Sequence, residues 1–139
     1  MIRTEKHTLL SEGEFDVFNV TEQARAAVRT AGIREGSVLI YFCHTTGSVI
    51  IVEHEAGILV DLEDALVRIA PPNAAYKHHL RGWDANGAAH IATALMGSSV
   101  TVPVLDGDLL LGSFQEILVI DMEPNARPRN MVIQVMGEQ

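Results

Sequence analysis

"GSVLIYFCHTTGSVIIVE", residues 36–53, decides the fold: two apolar runs, rich in β-branched and aromatic side chains, flank the polar insert His44-Thr45-Thr46-Gly47. Runs of this length and composition read as buried strands, and "TTG" as the tight connection between them. By the same pattern Cys43 is buried in an apolar run. The insert has two readings. Two threonines and a glycine can make a turn whose hydroxyls satisfy nearby backbone. Alternatively, His44, Thr45 and Thr46 line a pocket where a strand ends, with Glu53 at the far end of the next strand.

Outward from this stretch, "IRTEKHTLL" (2–10) is β-prone but shows little sign of a buried face, which suits an edge or oligomer-paired strand. "EFDVFNV" (14–20) is a short second strand with Phe15, Val17 and Asn19 on one face. Asn19 and Glu22 form an Asn version of the capping box, opening a helix to about Thr30 that Gly32 closes; Val20, Ala24, Ala27 and Val28 follow the helical period. "GILVDLEDALVRIA" (57–70) places Leu59, Leu62, Leu66 and Ile69 at helical spacing and ends at Pro71-Pro72. "ANGAAHIATALMG" (85–97) is a third helix, with Asp84 as N-cap, Gly97 as stop and Ala88, Ile91, Ala92 and Leu95 as its core face. The last third reads as strands with a turn at Asp106-Gly107. The expectation is a single α+β domain over residues 1–139, sheet-rich with about three helices.

Composition removes several function classes. The chain has 139 residues, 47% of them apolar, enough for one sizeable core. Eighteen carboxylates against ten Lys and Arg give a net charge of −8, which repels nucleic acid and anionic lipid. One cysteine permits neither an internal disulfide nor a Cys-rich zinc site. The first ten residues carry no apolar signal region, and the long uncharged runs are interrupted by polar residues, so a cytoplasmic protein with no membrane span is expected. No G-x-S-x-G elbow, P-loop or G-x-G-x-x-G motif occurs.

Six histidines remain. His7 and His54 read as solvated side chains. His44, the pair His78 and His79, and His90 sit at element ends or in turns beside other polar groups. Asn86 and His90, four apart, project from one helix face; His90 either caps the core edge or serves a site. His44, His79 and His90 provide three imidazoles for a metal, although no close ligand pair fixes them. Arg127 and Arg129, two apart in "EPNARPRN", suit phosphate or carboxylate recognition if extended, or form a surface salt-bridge pair with Glu123 or Asp121 that adds little stability.

The order "HTTGSVIIVE", "VDLEDAL", "YKHH", "WDANGAAHIATALMGSSVTVPV", "DGDLLLGSFQEILVIDM" and "VIQVMG" resembles the UPF0047, or YjbQ-like, family from about Gly36 to Gly137. H-T-T, D-x-N-x-x-x-H and L-x-L-G-[ST]-[WF]-Q in combination carry the resemblance. It implies a compact α+β homotrimer with a divalent metal, Mg or Zn, or an anion near shared histidines, and secondary thiamine-phosphate synthase activity on small phosphorylated molecules. It also implies roles. His44, Thr45, Thr46, Glu53, Asn86 and Gln115 would be catalytic, Arg127, Arg129 and Asp84 would bind substrate, and His44, His79 and His90 would hold metal. Gly112 matches as well. The chain departs from the family at "DMEPNARPRN", where Asp-Gly-Pro-Arg is common, and at Phe114, where Trp is common. A metal-dependent hydrolase and a non-enzymatic metal- or ligand-binding trimer are the alternatives.

Overall fold

A computed structural model describes residues 1–139. Eight strands and three helices follow in chain order: β1 (Ile2–Ser11), β2 (Asp16–Asn19), α1 (Thr21–Ala31), β3 (Glu35–Phe42), β4 (Gly47–Val52), α2 (Ala56–Ile69), α3 (Gly87–Met96), β5 (Ser99–Leu105), β6 (Asp108–Leu109), β7 (Glu116–Asp121) and β8 (Arg127–Glu138). A 3₁₀ turn, Lys77–Arg81, precedes α3. The α+β class stands.

The strands form two antiparallel sheets, ordered β1-β8-β3-β5-β6 and β2-β7-β4. The two strands of the opening stretch are therefore not partners. β3 lies in the larger sheet and β4 in the smaller, so Cys43–Thr46 crosses between them. Gly47 is required at this crossing: a Cβ there would sit 2.4 Å from Phe42 Cε2 and 3.0 Å from the Ile120 carbonyl oxygen. One core fills the space between, with Val38, Ile40 and Phe42 of β3, Met131, Ile133 and Val135 of β8, Val49, Ile117 and Val119 of the smaller sheet, and Ala24, Ala27 and Val28 of α1. Period-2 alternation puts those side chains on one face of each strand.

Several expectations are corrected. α1 is closed by Gly32 at φ 68° as its residue type predicts, but its N-cap residue is Val20 and no capping box forms. Asn19 Oδ1 instead accepts from Thr21 N at 3.0 Å, and Glu22 pairs with Arg25 at 3.4 Å. α2 has the expected length, yet none of its residues is buried and Ile69 is 63% exposed. In α3 the buried residues are Gly87, Ala89, Ala92 and Thr93, while Ile91 and Leu95 are exposed. Small side chains face inward because the helix runs close to its neighbours. A Cβ on Gly87 would lie 2.7 Å from Tyr76 Cγ.

Asp84 does not cap α3. Asn86 occupies the cap position, and the Gly87 N–H donates to His79 Nε2 at 2.9 Å. β1 is an edge strand paired along its whole length with β8. His7 is half-buried beside Glu5 (3.7 Å) rather than solvated. Asp106 and Gly107, both at positive φ, make the β5–β6 turn. No helix is long and apolar enough to cross a membrane.

Candidate functional site

At one end of the molecule β3 finishes, β7 finishes and β8 begins, which brings the crossing segment beside "EPNARPRN". A cavity of about 630 Å³ opens there, lined by His44, Thr45 and Thr46 from the crossing, Arg127 and Arg129 from β8, Glu123 from the loop before it, and Arg81, Asp84, Asn86 and His90 from the α3 side. Cys43, Tyr41 and Ser98 complete the wall. Cys43 is exposed, not buried, because β3 has already left the core at Phe42. A smaller, mainly apolar cavity of about 300 Å³ lies behind Asn86, between α2 and α3.

The floor is a buried ion pair. Arg129, 2% exposed, sets its Nη2 3.2 Å from Asp121 Oδ1 and 2.6 Å from Thr46 Oγ1, to which it donates. Asp121 Oδ1 also accepts from Glu123 N at 3.1 Å. Removal from water pushes the guanidinium's pKa down, and Asp121 and Glu123 oppose that shift. A charge this deep needs its partner, so Arg129, Asp121 and Thr46 act as one unit. Arg129 Nε and Asp121 Oδ2 are buried without protein partners.

The walls hold a second polar network. Arg127, 52% exposed on its side chain, lies 3.6 Å from Glu123 Oε1. Glu123 Oε2 accepts from Asn86 Nδ2 at 3.4 Å. Asn86 Oδ1 and Asp84 Oδ1 each lie 3.1 Å from His78 Nε2. Arg81 Nη2 stands 3.3 Å from the same nitrogen, so an amide, a carboxylate and a guanidinium all meet at His78 Nε2. Arg81 pairs with Asp84 at 3.4 Å, and His78 packs its ring 4.5 Å from that of His90.

Both pocket imidazoles are held neutral. His44 Nε2 accepts from Asn130 N at 2.8 Å, which leaves the proton on Nδ1. Burial first, then the positive charge of Arg129, lowers the His44 pKa below 6.5. Burial and then His78 lower that of His90, whose Nε2 is buried without a partner.

Among the residues singled out in the sequence, His44, Thr45, Thr46, Asp84, Asn86, His90, Arg127 and Arg129 line this cavity. Three do not. Gln115 bonds Gly112 N through Oε1, and Glu53 follows Val52; both lie at the far end of the smaller sheet, about 17 Å of strand from Gly47. His79 turns to the α3 N-terminus and commits Nε2 there. His44 and His79 thus each spend Nε2 on a backbone N–H, and no three His, Cys, Asp or Glu side chains converge as a metal would require. The His44, His79 and His90 triad does not fit a metal. Sequence reading singled out His78 with His79 but gave it no role, and it missed Arg81. "YKHH" contains both histidines, but only the direction of the 3₁₀ turn distinguishes the one that contacts the wall residues Asp84 and Asn86 from the one at the helix end.

The family model described as UPF0047 protein YjbQ-like matches residues 5–138. A UPF0047 protein of Archaeoglobus fulgidus is 33% identical over 129 residues, covering 93% of this chain and 98% of that one. One from Methanothermobacter thermautotrophicus is 30% identical over 134 residues, covering 96% and 90%. Among solved structures, a YbjQ-like protein of unknown function from Sulfolobus solfataricus superposes with a TM-score of 0.94 at 25% identity, covering 99% of both chains. A hypothetical protein from Aeropyrum pernix K1 gives 0.90 at 30% identity, covering 98% and 99%. The crossing segment, the α3 entry and the β8 start thus sit in a fold shared along the whole chain, which belongs to the YjbQ-like UPF0047 family.

Proposed function

We propose that the polar cavity binds a small phosphorylated molecule and carries out a diphosphate displacement of the thiamine-phosphate synthase type. One observation carries the reading. In a chain of net charge −8, three of its ten Lys and Arg side chains, Arg81, Arg127 and Arg129, gather with hydroxyls and neutral imidazoles around one cavity. Guanidinium forks match phosphate oxygens in geometry and charge.

In this reaction the thiazole nitrogen lone pair forms a bond to the pyrimidine methylene carbon. The carbon–oxygen bond to diphosphate breaks, and its electron pair leaves with the diphosphate. The nucleophile gives up no proton, so catalysis rests on positioning and on stabilising the departing charge. Arg81 and Arg127, both at the cavity wall, supply that charge; Arg129 holds Thr46, and through it the crossing segment, in place. Neutral His44 donates through Nδ1, and His90 presents an unpaired Nε2; both orient a polar ligand. No step is routed through a metal.

The assembly proposed is a homotrimer. The outer face of the larger sheet presents Ile2, Tyr41, Leu105 and Met136, and α2 leaves Val60, Val67 and Ile69 exposed; exposed apolar side chains gathered in this way suit an interface. Incubating the protein with isotope-labelled pyrimidine diphosphate and thiazole phosphate, and following the joined product and pyrophosphate by mass spectrometry, tests the reaction. Phosphate binding without turnover would leave a ligand-binding protein. Absence of both would remove the reading.

A further inference from the structure

The turn that brings Arg81 and Asp84 into the cavity wall also carries the chain's single tryptophan. Trp83 lies between those two residues in sequence and is 79% exposed; Leu80, one turn earlier, is 85% exposed. The indole is engaged by Arg81, whose Cζ stands 4.6 Å from the ring centroid, and Arg81 is tied to Asp84 at 3.4 Å. The guanidinium that would meet an anion and the ring beside it are thus braced against each other.

The cavity is larger than an anion needs. At about 630 Å³ it falls in the range of roughly 300–1,000 Å³ that encloses drug-sized ligands. Its lining is almost wholly polar, with Tyr41 and Cys43 the hydrophobic contributors. A ligand with an organic body therefore needs apolar surface beyond that lining, and the large exposed ring next to it is Trp83, which stands outside the lining against the wall residue Arg81.

We infer that Trp83 is the ring platform of this pocket, and that the ligand is a phosphorylated molecule bearing a planar aromatic ring, which stacks on the indole while its phosphate meets Arg81 and Arg127. This inference rests on the anion-binding reading above. Stacking against an aromatic side chain favours planar rings with little regard to their substituents, so Trp83 selects for ring character and the arginines for charge.

The test uses the full chain, with inorganic phosphate, ethyl phosphate and phenyl phosphate as probes, in calorimetry and in the fluorescence of the single tryptophan. Phenyl phosphate is expected to bind about tenfold more tightly than ethyl phosphate and to quench the indole, which ethyl phosphate leaves bright. Trp83→Ala should abolish the phenyl-over-ethyl preference, and Trp83→Phe should restore most of it. Since Trp83 is a surface side chain, both variants should fold, which circular dichroism checks. Equal affinities for the two esters, or a preference that survives Trp83→Ala, would overturn the platform while leaving the anion site standing. If none of the three phosphates binds the unaltered protein, the anion reading fails and the platform with it.

Discussion

Arg127 and Arg129 are two residues apart and chemically identical, yet burial gives them opposite duties. Arg129 holds Asp121 and Thr46 beneath the cavity, whereas Arg127 reaches solvent beside Glu123. Arg129→Lys keeps the charge but loses the planar fork, so one of the Thr46 and Asp121 contacts is given up inside the protein. Thermal unfolding should show a loss of roughly 1–3 kcal/mol. Arg127→Ala removes a half-exposed guanidinium from the buried Glu123, which keeps its Asn86 partner; it should cost about 1 kcal/mol of stability and weaken inorganic phosphate binding by about tenfold in calorimetry. A stable Arg129→Lys and a destabilised Arg127→Ala would reverse this assignment.

The two pocket histidines make stability depend on pH. Their folded pKa values lie below 6.5 because burial disfavours the imidazolium, with Arg129 adding to the effect at His44 and His78 at His90. Between the folded and unfolded values the unfolded chain binds more protons, so stability rises with pH there and is lost as pH falls through 6.5. Melting temperature should drop on acidification from neutral pH. His90→Gln should flatten that slope, because glutamine has no proton to gain in the window; an unchanged slope would place the titration elsewhere.

At the scale of the element, α3 shows how a helix can be placed by its first residue. Gly87 admits the Tyr76 ring and lets His79 reach its backbone N–H. In an open helix, alanine would be better than glycine by about 1 kcal/mol. Here Gly87→Ala drives a Cβ to 2.7 Å from Tyr76 Cγ and 2.9 Å from His79 Nε2. The expected result is a loss of about 1–3 kcal/mol, with Asn86 and His90 displaced from the cavity wall. Denaturant unfolding and phosphate affinity measured on the same variant check both parts. A gain in stability would mean the helix entry can relax.

On the scale of the whole molecule, the exposed apolar side chains bear on the proposed trimer. Met136 lies on the open face of the larger sheet beside β1 and β3, paired with Ile2 and Ser37. Met136→Glu puts a charge on that face without touching the core, so the chain should stay folded by circular dichroism and dissociate in light scattering. A native protein already monomeric at micromolar concentration would withdraw the trimer.

Local chemistry alone settled the element types. Alternation and β-branching marked the strands, Gly32 and Pro71-Pro72 stopped helices where they do in the fold, and Asp106-Gly107 turned the β5–β6 hairpin, because these signals act over a few residues of backbone. The spacing of Arg127 and Arg129 was legible for the same reason; pairing with Glu123 or Asp121 was one of two open readings, and the burial of the Arg129–Asp121 pair was not legible at all. Tertiary structure decided the rest. Only packing determined that β3 and β4 belong to different sheets, since a short connection permits either a hairpin or a crossing. Only packing turned α3 onto its small residues and left Ile91 and Leu95 outside, because helical spacing fixes which residues share a face but not which face is covered. The site divided in the same way: histidines, threonines and arginines were visible as chemistry, but which of them share one cavity depends on contacts between segments far apart in sequence. Those contacts brought Arg81 to the pocket, set His78 behind its wall residues Asp84 and Asn86, and left His79, Glu53 and Gln115 elsewhere.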